Sequence, residues 1–545
     1  MGYAYVPRAQ AEAKRGSLGK VLFSDELRKF LGSQTFNYRE KRTAFSERSI
    51  HAAICDLDVT LERGLLAASK NIYDMLLLGR SYEESLFDGA KQSFDLPFID
   101  WEHPERNIWQ VTDEFSVERG NGKFARPDIV LLVNGIPLVV IECKKSSVDV
   151  AEGIRQNVRN WQPDYIPHLF KFAQLVVAMN PNDVRYATCG TTAEFYAKWQ
   201  EEEGKWLDET VRRHIRDNNP TVQDRNIVSL FSRERLLNLI RYYVLYDNGI
   251  KKIARYQQYF GVENIMRRIK RQDKKGTSNG VIWHTQGSGK SLTMVMLTKR
   301  VMADPEMSRA RFVLVCDRVN LVKQLRDNFI RSGLKPVQAT TGRGLISLLE
   351  DQGNGIITTT INKYETAAKS RARITDENII LLVDESHRSH TGELHNFMNE
   401  VLPNATMIGF TGTPLMRQDQ LSTYSKFGPL IGQPYKFADG IRDGVIVPLV
   451  YEGRMVDQNL SSPQIDEYLQ RILEPLTDEQ KEDLRQKWSR FLPLAQTDQR
   501  LSMIAFDIHH HFLTYCKPRG FKAIITASSR ACAIELQDRI NSLGG

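Results

Sequence analysis

The sequence predicts an α/β protein in which a mixed domain centred on a β-hairpin precedes a domain with a parallel sheet. Three observations carry this reading. From residue 281 onward, short apolar runs at Val281–Trp283, Phe312–Val315, Gly355–Thr359, Ile379–Val383 and Thr406–Phe410 alternate with helical patterns, and that alternation puts strands in a parallel sheet covered by helices on both faces. Further upstream, two β-branched runs flank Asn134-Gly135 between Ile129 and Ile141, the mark of a hairpin. The 545 residues, 41% of them hydrophobic, exceed what one core supports, and about 150 residues per domain gives roughly three or four units.

Composition narrows the class only a little. The net charge of +8 is compatible with a polyanionic partner, but charge of this size alone decides nothing. Six cysteines are scattered without a C-x-x-C pair, so neither a disulfide framework nor a zinc knuckle is indicated and a reducing cytoplasm fits best. No apolar run approaches the eighteen or so residues that span a bilayer, and the opening Met-Gly-Tyr-Ala-Tyr-Val has neither a signal core nor a myristoylation serine. A soluble chain without a membrane partner is expected.

Taken in order, residues 1–45 are polar and weakly periodic and read as an irregular leader. Between Asp58 and Gly79, apolar residues at Leu61, Leu65, Ala68, Ile72 and Met75 repeat as one helical face does. The hairpin follows, and its ends matter most. Pro127-Asp128 opens the first strand, while Glu142-Cys143-Lys144 closes the second, where a period of two puts Glu142 and Lys144 on one face. Asp128 and Glu142 could hold a divalent metal through hard oxygen ligands, with Lys144 orienting or polarising an attacking water. The alternative is a surface hairpin whose ends are charged because they leave the core. Register tests the choice: a strict two-residue Asn134-Gly135 loop puts Asp128 opposite Ile141 and turns Glu142 to the other face. A metal site therefore requires a three-residue turn with a glycine bulge or a kink at Pro127.

Val150–Trp161 reads as a helix carrying Gln156, Leu175–Met179 as a buried strand, residues 217–226 as a linker, and Ser229–Asp247 as a helix. The basic run from Arg267 to Lys275 reads as a solvated helix end rather than a DNA contact. These features divide the chain into 1–45, 46–225, 226–455 and 456–545.

The parallel-sheet region opens on Val281-Ile282-Trp283-His284-Thr285-Gln286-Gly287-Ser288-Gly289-Lys290-Ser291. Gly287 and Gly289 let the backbone bend until its N–H groups face a triphosphate at a helix N-terminus, Lys290 neutralises the β- and γ-phosphates, and the Ser291 hydroxyl ligates Mg²⁺. His284 stands where the full pattern has glycine, so the match is to Thr285, Gly287, Ser288, Gly289, Lys290 and Ser291. An ordinary glycine turn is the alternative. Against it stands the run Ile379–Val383 ending in Asp384-Glu385-Ser386-His387, because ligands of such sheets bind at the carboxyl ends of strands. Asp384 then reaches the same Mg²⁺ and Glu385 activates the water that attacks the γ-phosphate.

The glycine loop, Asp384–His387 and Phe410-Thr411-Gly412-Thr413-Pro414 together resemble the first RecA-like domain of superfamily 2 helicases and translocases. Pro127, Asp128, Glu142 and Lys144 resemble the site of PD-(D/E)xK nucleases. With one before the other, residues 50–545 resemble the restriction (R, or HsdR) subunit of Type I restriction-modification enzymes. The resemblance implies ATP and Mg²⁺ as cofactors, double-stranded DNA as substrate, and methylation and specificity subunits as partners. By position it assigns Gln257 to adenine recognition, Thr411 and Thr413 to coupling, and Asp317-Arg318 and Thr358–Thr360 to the tracked strand.

The chain departs from the family pattern at Asn160, which stands where a Tyr follows Gln156 by four. Phe521–Arg530 resembles the opening strand of a second RecA-like domain, and with Gly545 soon after, the expectation is a truncated second domain and an impaired ATPase. His509-His510-His511 reads as a solvated helix face, since neighbours on a helix point apart. The leading reading is an ATP-dependent DNA translocase and endonuclease subunit that cleaves far from its recognition site. The alternatives are a helicase-nuclease of DNA repair and a nucleotide-binding scaffold.

Overall fold

The computed structural model describes residues 1–120, 122–201, 204–215, 219–271, 278–351, 353, 355–384, 392–414, 423–454 and 498–543. They form two units, Met1–Val447 and Pro448–Gly545.

The first unit holds two six-stranded sheets. In the N-terminal sheet, strands Ala4–Tyr5, Trp109–Asp113, Ile129–Val133, Ile136–Cys143, Leu175–Asn180 and Asp183–Ala187 lie side by side in sequence order. Its middle is the expected hairpin, antiparallel within itself and parallel to Leu175–Asn180 on its inner flank. Residues 1–45 are not the irregular leader expected. Ala4–Tyr5 joins the sheet, helix Arg8–Arg15 packs on strand Trp109–Asp113 and helix Ser24–Ser33 on Arg8–Arg15, with Phe23 N donating to the Gly135 carbonyl at 2.9 Å. The apolar stripe Phe23, Leu27, Phe30 and Leu31 is buried; its helical spacing was hidden among polar residues because it lasts only two turns.

The helix expected from Asp58 starts at Leu65, after Gly64 at φ 86°, and buries Ala68, Ile72, Met75 and Leu76. The stretch read as a linker contains a helix start: the Thr221 hydroxyl accepts from Asp224 N at 3.2 Å, and Asp224 Oδ2 accepts from Thr221 N at 2.9 Å, capping Val222–Phe231. Such polar caps look like loops in a sequence. The single helix expected over Ser229–Asp247 breaks at Ser232 and ends at Tyr243, where Val244–Asp247 turns through Asn248-Gly249 into Ile250–Ile253. This small hairpin joins the two sheets' surroundings: the Tyr73 hydroxyl donates to the carbonyl of Val244 at 2.9 Å and that of Tyr186 to Ala254 at 2.7 Å on one side, and Asn248 N donates to the carbonyl of Arg331, at the end of the helix Val319–Arg331, at 3.2 Å on the other.

The second sheet is wholly parallel, in the order Gly280–Trp283, Thr406–Thr411, Ile379–Asp384, Arg311–Cys316, Ile356–Thr360, Val337–Gln338. Its interior strands are buried on both sides and largely apolar, with threonines at Thr358–Thr360, because helices cover both faces. The carboxyl ends of its first three strands meet at the glycine loop.

In the second unit, Asp498–His511 and Arg530–Ser542 are helices. The strand expected at Phe521 does not form: Ile524 is 94% exposed, and a strand without a ladder partner among the described residues leaves its backbone to water. Of the three histidines, His511 Nδ1 accepts from Arg454 at 2.8 Å and His510 stacks on Phe506. Among the described residues no His, Cys, Asp and Glu cluster could hold a metal through three such side chains, and no helix is long and apolar enough to cross a membrane.

Candidate functional site

The first site grows out of the hairpin turn. Asn134 (φ 51°) and Gly135 (φ 78°) make a two-residue turn with both central residues left-handed, the form that matches strand twist. The Asn134 side chain anchors it, accepting from Ile108 N at 2.7 Å and donating to Phe98 O at 2.9 Å. Gly135 is required, because a Cβ there would stand 2.3 Å from the Phe23 carbonyl oxygen. Ile136 pairs with Val133 and Pro137 with Leu132, but the register then shifts, so that Val139, Val140 and Ile141 face Leu131, Val130 and Ile129. The distortion expected in the turn or near Pro127 therefore lies at Pro137-Leu138. Proline has no N–H for the ladder, and the residue after it bulges.

That one-residue shift brings Asp128 across from Glu142. Asp128 Oδ2 accepts from Cys143 N at 2.7 Å. Lys144 Nζ lies 3.7 Å from Asp128 Oδ2 and 3.9 Å from Glu142 Oε2, so both carboxylates converge on one ammonium. The helix Val150–Asn160, capped by Asp149, closes the site from behind. It can approach because residue 153 is glycine, where a Cβ would meet Ala178 Cβ at 3.1 Å and Glu142 Cβ at 3.6 Å. One turn apart on its inner face, Gln156 Oε1 accepts from Lys144 Nζ at 2.8 Å and Asn160 Nδ2 donates to Glu142 Oε1 at 3.1 Å.

Glu142 is fully buried while Asp128 is 38% exposed, so the site opens to solvent on the Asp128 side. Burial, and then the Asp128 carboxylate, push the Glu142 pKa well above the usual carboxylate range, against the pull of Lys144. Glu142 Oε2 has no hydrogen-bond partner among the described residues. A buried, orphaned oxygen beside a second carboxylate is a donor set that a hard divalent cation fits.

The second site lies at the glycine loop. Gly287 (φ 82°) and Gly289 (φ 91°) carry the bend, and the helix Lys290–Met302 starts immediately after it. The loop is pinned by His284 N to Thr411 O at 3.0 Å, Thr285 N to Tyr435 O at 2.8 Å, and the Ser288 hydroxyl to Thr285 O at 2.6 Å. Gly412 of the Thr411–Thr413 segment comes so close that a Cβ would be 3.1 Å from Gln286 N, and Thr413 N donates to Thr411 Oγ1 at 3.1 Å. A cavity of about 1150 Å³ opens here, lined by Thr285, Gly287, Arg318, Asp384 and Thr413 among others. Asp384 ends its strand at this cavity, as expected; Glu385, with Ser386 and His387, lies outside the described residues.

Two departures have physical reasons. His284 takes the glycine position of the pattern because its ring lies over Gly261, with Cε1 3.3 Å from where a Cβ would stand. The residue that touches the loop is Gln258, not Gln257. Gln258 Nε2 donates to Gly289 O at 3.1 Å and its Oε1 accepts from Arg255 N at 2.9 Å, and it lines a cavity of about 600 Å³ beside Gly287–Gly289. Gln257 is 5% exposed, and neither polar atom of its side chain has a partner among the described residues.

Residues 1–195 match the family model for the type I restriction enzyme R protein N terminus, and residues 257–482 that for SWI2/SNF2 ATPases. The chain is 30% identical over 490 residues to a candidate MjaIXP endonuclease subunit of a type I restriction enzyme from Methanocaldococcus jannaschii, covering 86% of this chain and 46% of the relative. It is 29% identical over 579 residues to the HindI endonuclease subunit from Haemophilus influenzae, covering 99% and 52%. The chain is an HsdR-like protein. It spans about half the length of these relatives.

In this HsdR-like chain the boundary between the matched segments, residues 196–256, includes the Val244–Ile253 hairpin that joins the two sheets. Sequence reasoning missed the Asn160 contact to Glu142, although its spacing of four from Gln156 puts both on one helix face. It also missed Gln258, since adjacent glutamines give no sign of which one faces the loop.

Proposed function

We propose that this chain is the ATP-dependent DNA-translocating and endonuclease subunit of a type I restriction enzyme, working in the cytoplasm with methylation and specificity subunits and cutting duplex DNA away from the recognition site. The observation that carries the reading is the convergence of Asp128 and Glu142 on Lys144 in the same compact unit as a glycine-loop site.

In the nuclease site, Asp128 and Glu142 would hold Mg²⁺, which when bound supplies Lewis-acid polarisation of the scissile phosphate and of water. Lys144, oriented by Gln156, positions the attacking water. In the motor site, Lys290 meets the β- and γ-phosphates, Ser291 and Asp384 serve the nucleotide's Mg²⁺, and Glu385 activates water. Thr411 and Thr413 would couple that site to DNA movement, and Asp317-Arg318, with the Arg318 side chain 69% exposed, would serve the tracked strand.

The test uses the assembled enzyme. Asp128→Ala and Glu142→Ala should each lower Mg²⁺-dependent cleavage by about 10³-fold or more while leaving DNA-stimulated ATP turnover within about twofold, an order of magnitude set by loss of a metal ligand. Full cleavage by either variant would overturn the nuclease assignment, and joint loss of both activities would mark a folding role.

A further inference from the structure

We infer that Asn160 is a positioning residue that fixes which oxygen of Glu142 faces the divalent metal. The inference rests on the nuclease reading of Asp128, Glu142 and Lys144. A carboxylate in a metal site can bind through one oxygen or two, and what decides is whether its second oxygen is occupied elsewhere. Here Asn160 Nδ2 holds Oε1 at 3.1 Å. Oε2 is left without a hydrogen-bond partner among the described residues, on the side of Asp128 and Lys144, whose Nζ lies 3.9 Å away. Both side chains are buried, with Asn160 1% exposed and Glu142 0%, so the contact is shielded from bulk water.

The helix makes the contact stiff. Asn160 sits at its last turn, where its own carbonyl accepts from Ile166 N at 2.9 Å, and Asn157 on the next face donates to Val177 O at 2.9 Å. Gly153 brings the helix against Glu142 itself. A Glu142 held to one free oxygen is a one-point ligand. That suits Mg²⁺ and Mn²⁺, which demand six ligands in near-octahedral array, and suits Ca²⁺ less, since it accepts two-point carboxylates and six to eight ligands. Asn160 acts in this way as a selector as well as an orienter.

The experiment measures metal binding to the 545-residue chain without nucleotide, by following free Mn²⁺ in solution and by competition with Ca²⁺. Asn160→Leu keeps nearly the same volume and removes the donor. We expect its Mn²⁺ affinity to fall about tenfold, the low end of what losing such an outer partner costs, while Ca²⁺ affinity changes less, so that the Mn²⁺/Ca²⁺ preference narrows. Thermal unfolding and ATP binding at the glycine loop check that the variant is folded, and Asn160→Ala serves in its place if it is not. Unchanged Mn²⁺ affinity in a folded variant overturns the inference, as does an equal loss for both ions, which marks a merely structural role. The double variant Asp128→Ala/Glu142→Ala separates the two levels. If it binds Mn²⁺ like the parent, the nuclease reading fails; if it does not, and Asn160→Leu does, only the present inference fails.

Discussion

His284 offers a test of the motor site that needs no substrate. Its ring is 3% exposed, and Nδ1 has no hydrogen-bond partner among the described residues. Burial, and then the Lys290 ammonium, bring its pKa down to about 3, whereas an unfolded histidine titrates near 6.5. Below about 6.5 the unfolded chain takes up a proton that the native chain refuses until about pH 3. The stabilisation is therefore fully present above pH 6.5 and is lost as pH falls through that window. Going from pH 7 to pH 5 crosses about 1.5 units of it, and at 1.36 kcal/mol per unit this one side chain removes about 2 kcal/mol. His284→Leu deletes the titration and keeps an apolar group over Gly261. Urea unfolding of both chains at the two pH values should show the parent losing about 2 kcal/mol more than the variant, a difference that cancels every other titrating group. Equal losses would refute the reasoning and mean that His284 is protonated, or solvated, in the native chain.

Three further predictions concern the loop and the turn. Lys290→Ala should abolish ATP binding measured by fluorescent nucleotide titration, and Gln258→Ala should weaken it several-fold more than Gln257→Ala; the reverse order would mean that Gln257, not the loop contact of Gln258, serves the nucleotide. Gly135→Ala forces a Cβ against the Phe23 carbonyl at φ 78°, so it should destabilise the chain by about 2 to 4 kcal/mol, strain plus clash, and an unchanged unfolding temperature would contradict the turn geometry described.

How much of this was legible in the sequence depended on the range over which each signal acts. The parallel sheet was readable because its interior strands are short runs rich in apolar residues, and all four form within a residue or two of expectation. Asp384 and Thr411 fall at strand ends for the same reason. Short amphipathic elements were not readable: Ser24–Ser33 carries only a handful of apolar residues, and Val244–Asp247 looks like the continuation of the helix before it, since a run such as Tyr-Tyr-Val-Leu-Tyr satisfies either period. Long-range choices were invisible in principle. Nothing local says that Gln258 rather than Gln257 reaches Gly289, or that the imidazole of His284 fits because residue 261, more than twenty positions earlier, has no side chain.

The nuclease site shows how a local rule and a distant requirement are reconciled. Asn134-Gly135 favours a two-residue turn, and such a turn propagates a register in which Asp128 and Glu142 fall on opposite faces. The site needs the other parity. Two features could have yielded, the turn or the ladder, and the turn is held by three Asn134 side-chain hydrogen bonds and by the close approach to Phe23. The ladder yields instead, at Pro137, the one position in the second strand that has no N–H to lose. From there to Ile141 every pair is shifted by one, and Glu142 turns toward Asp128, Lys144 and the Gln156–Asn160 face. The proline that reads as a blemish in a β-strand is thus what converts a hairpin into a site, and the carboxylates' convergence is a consequence of register before it is a consequence of chemistry.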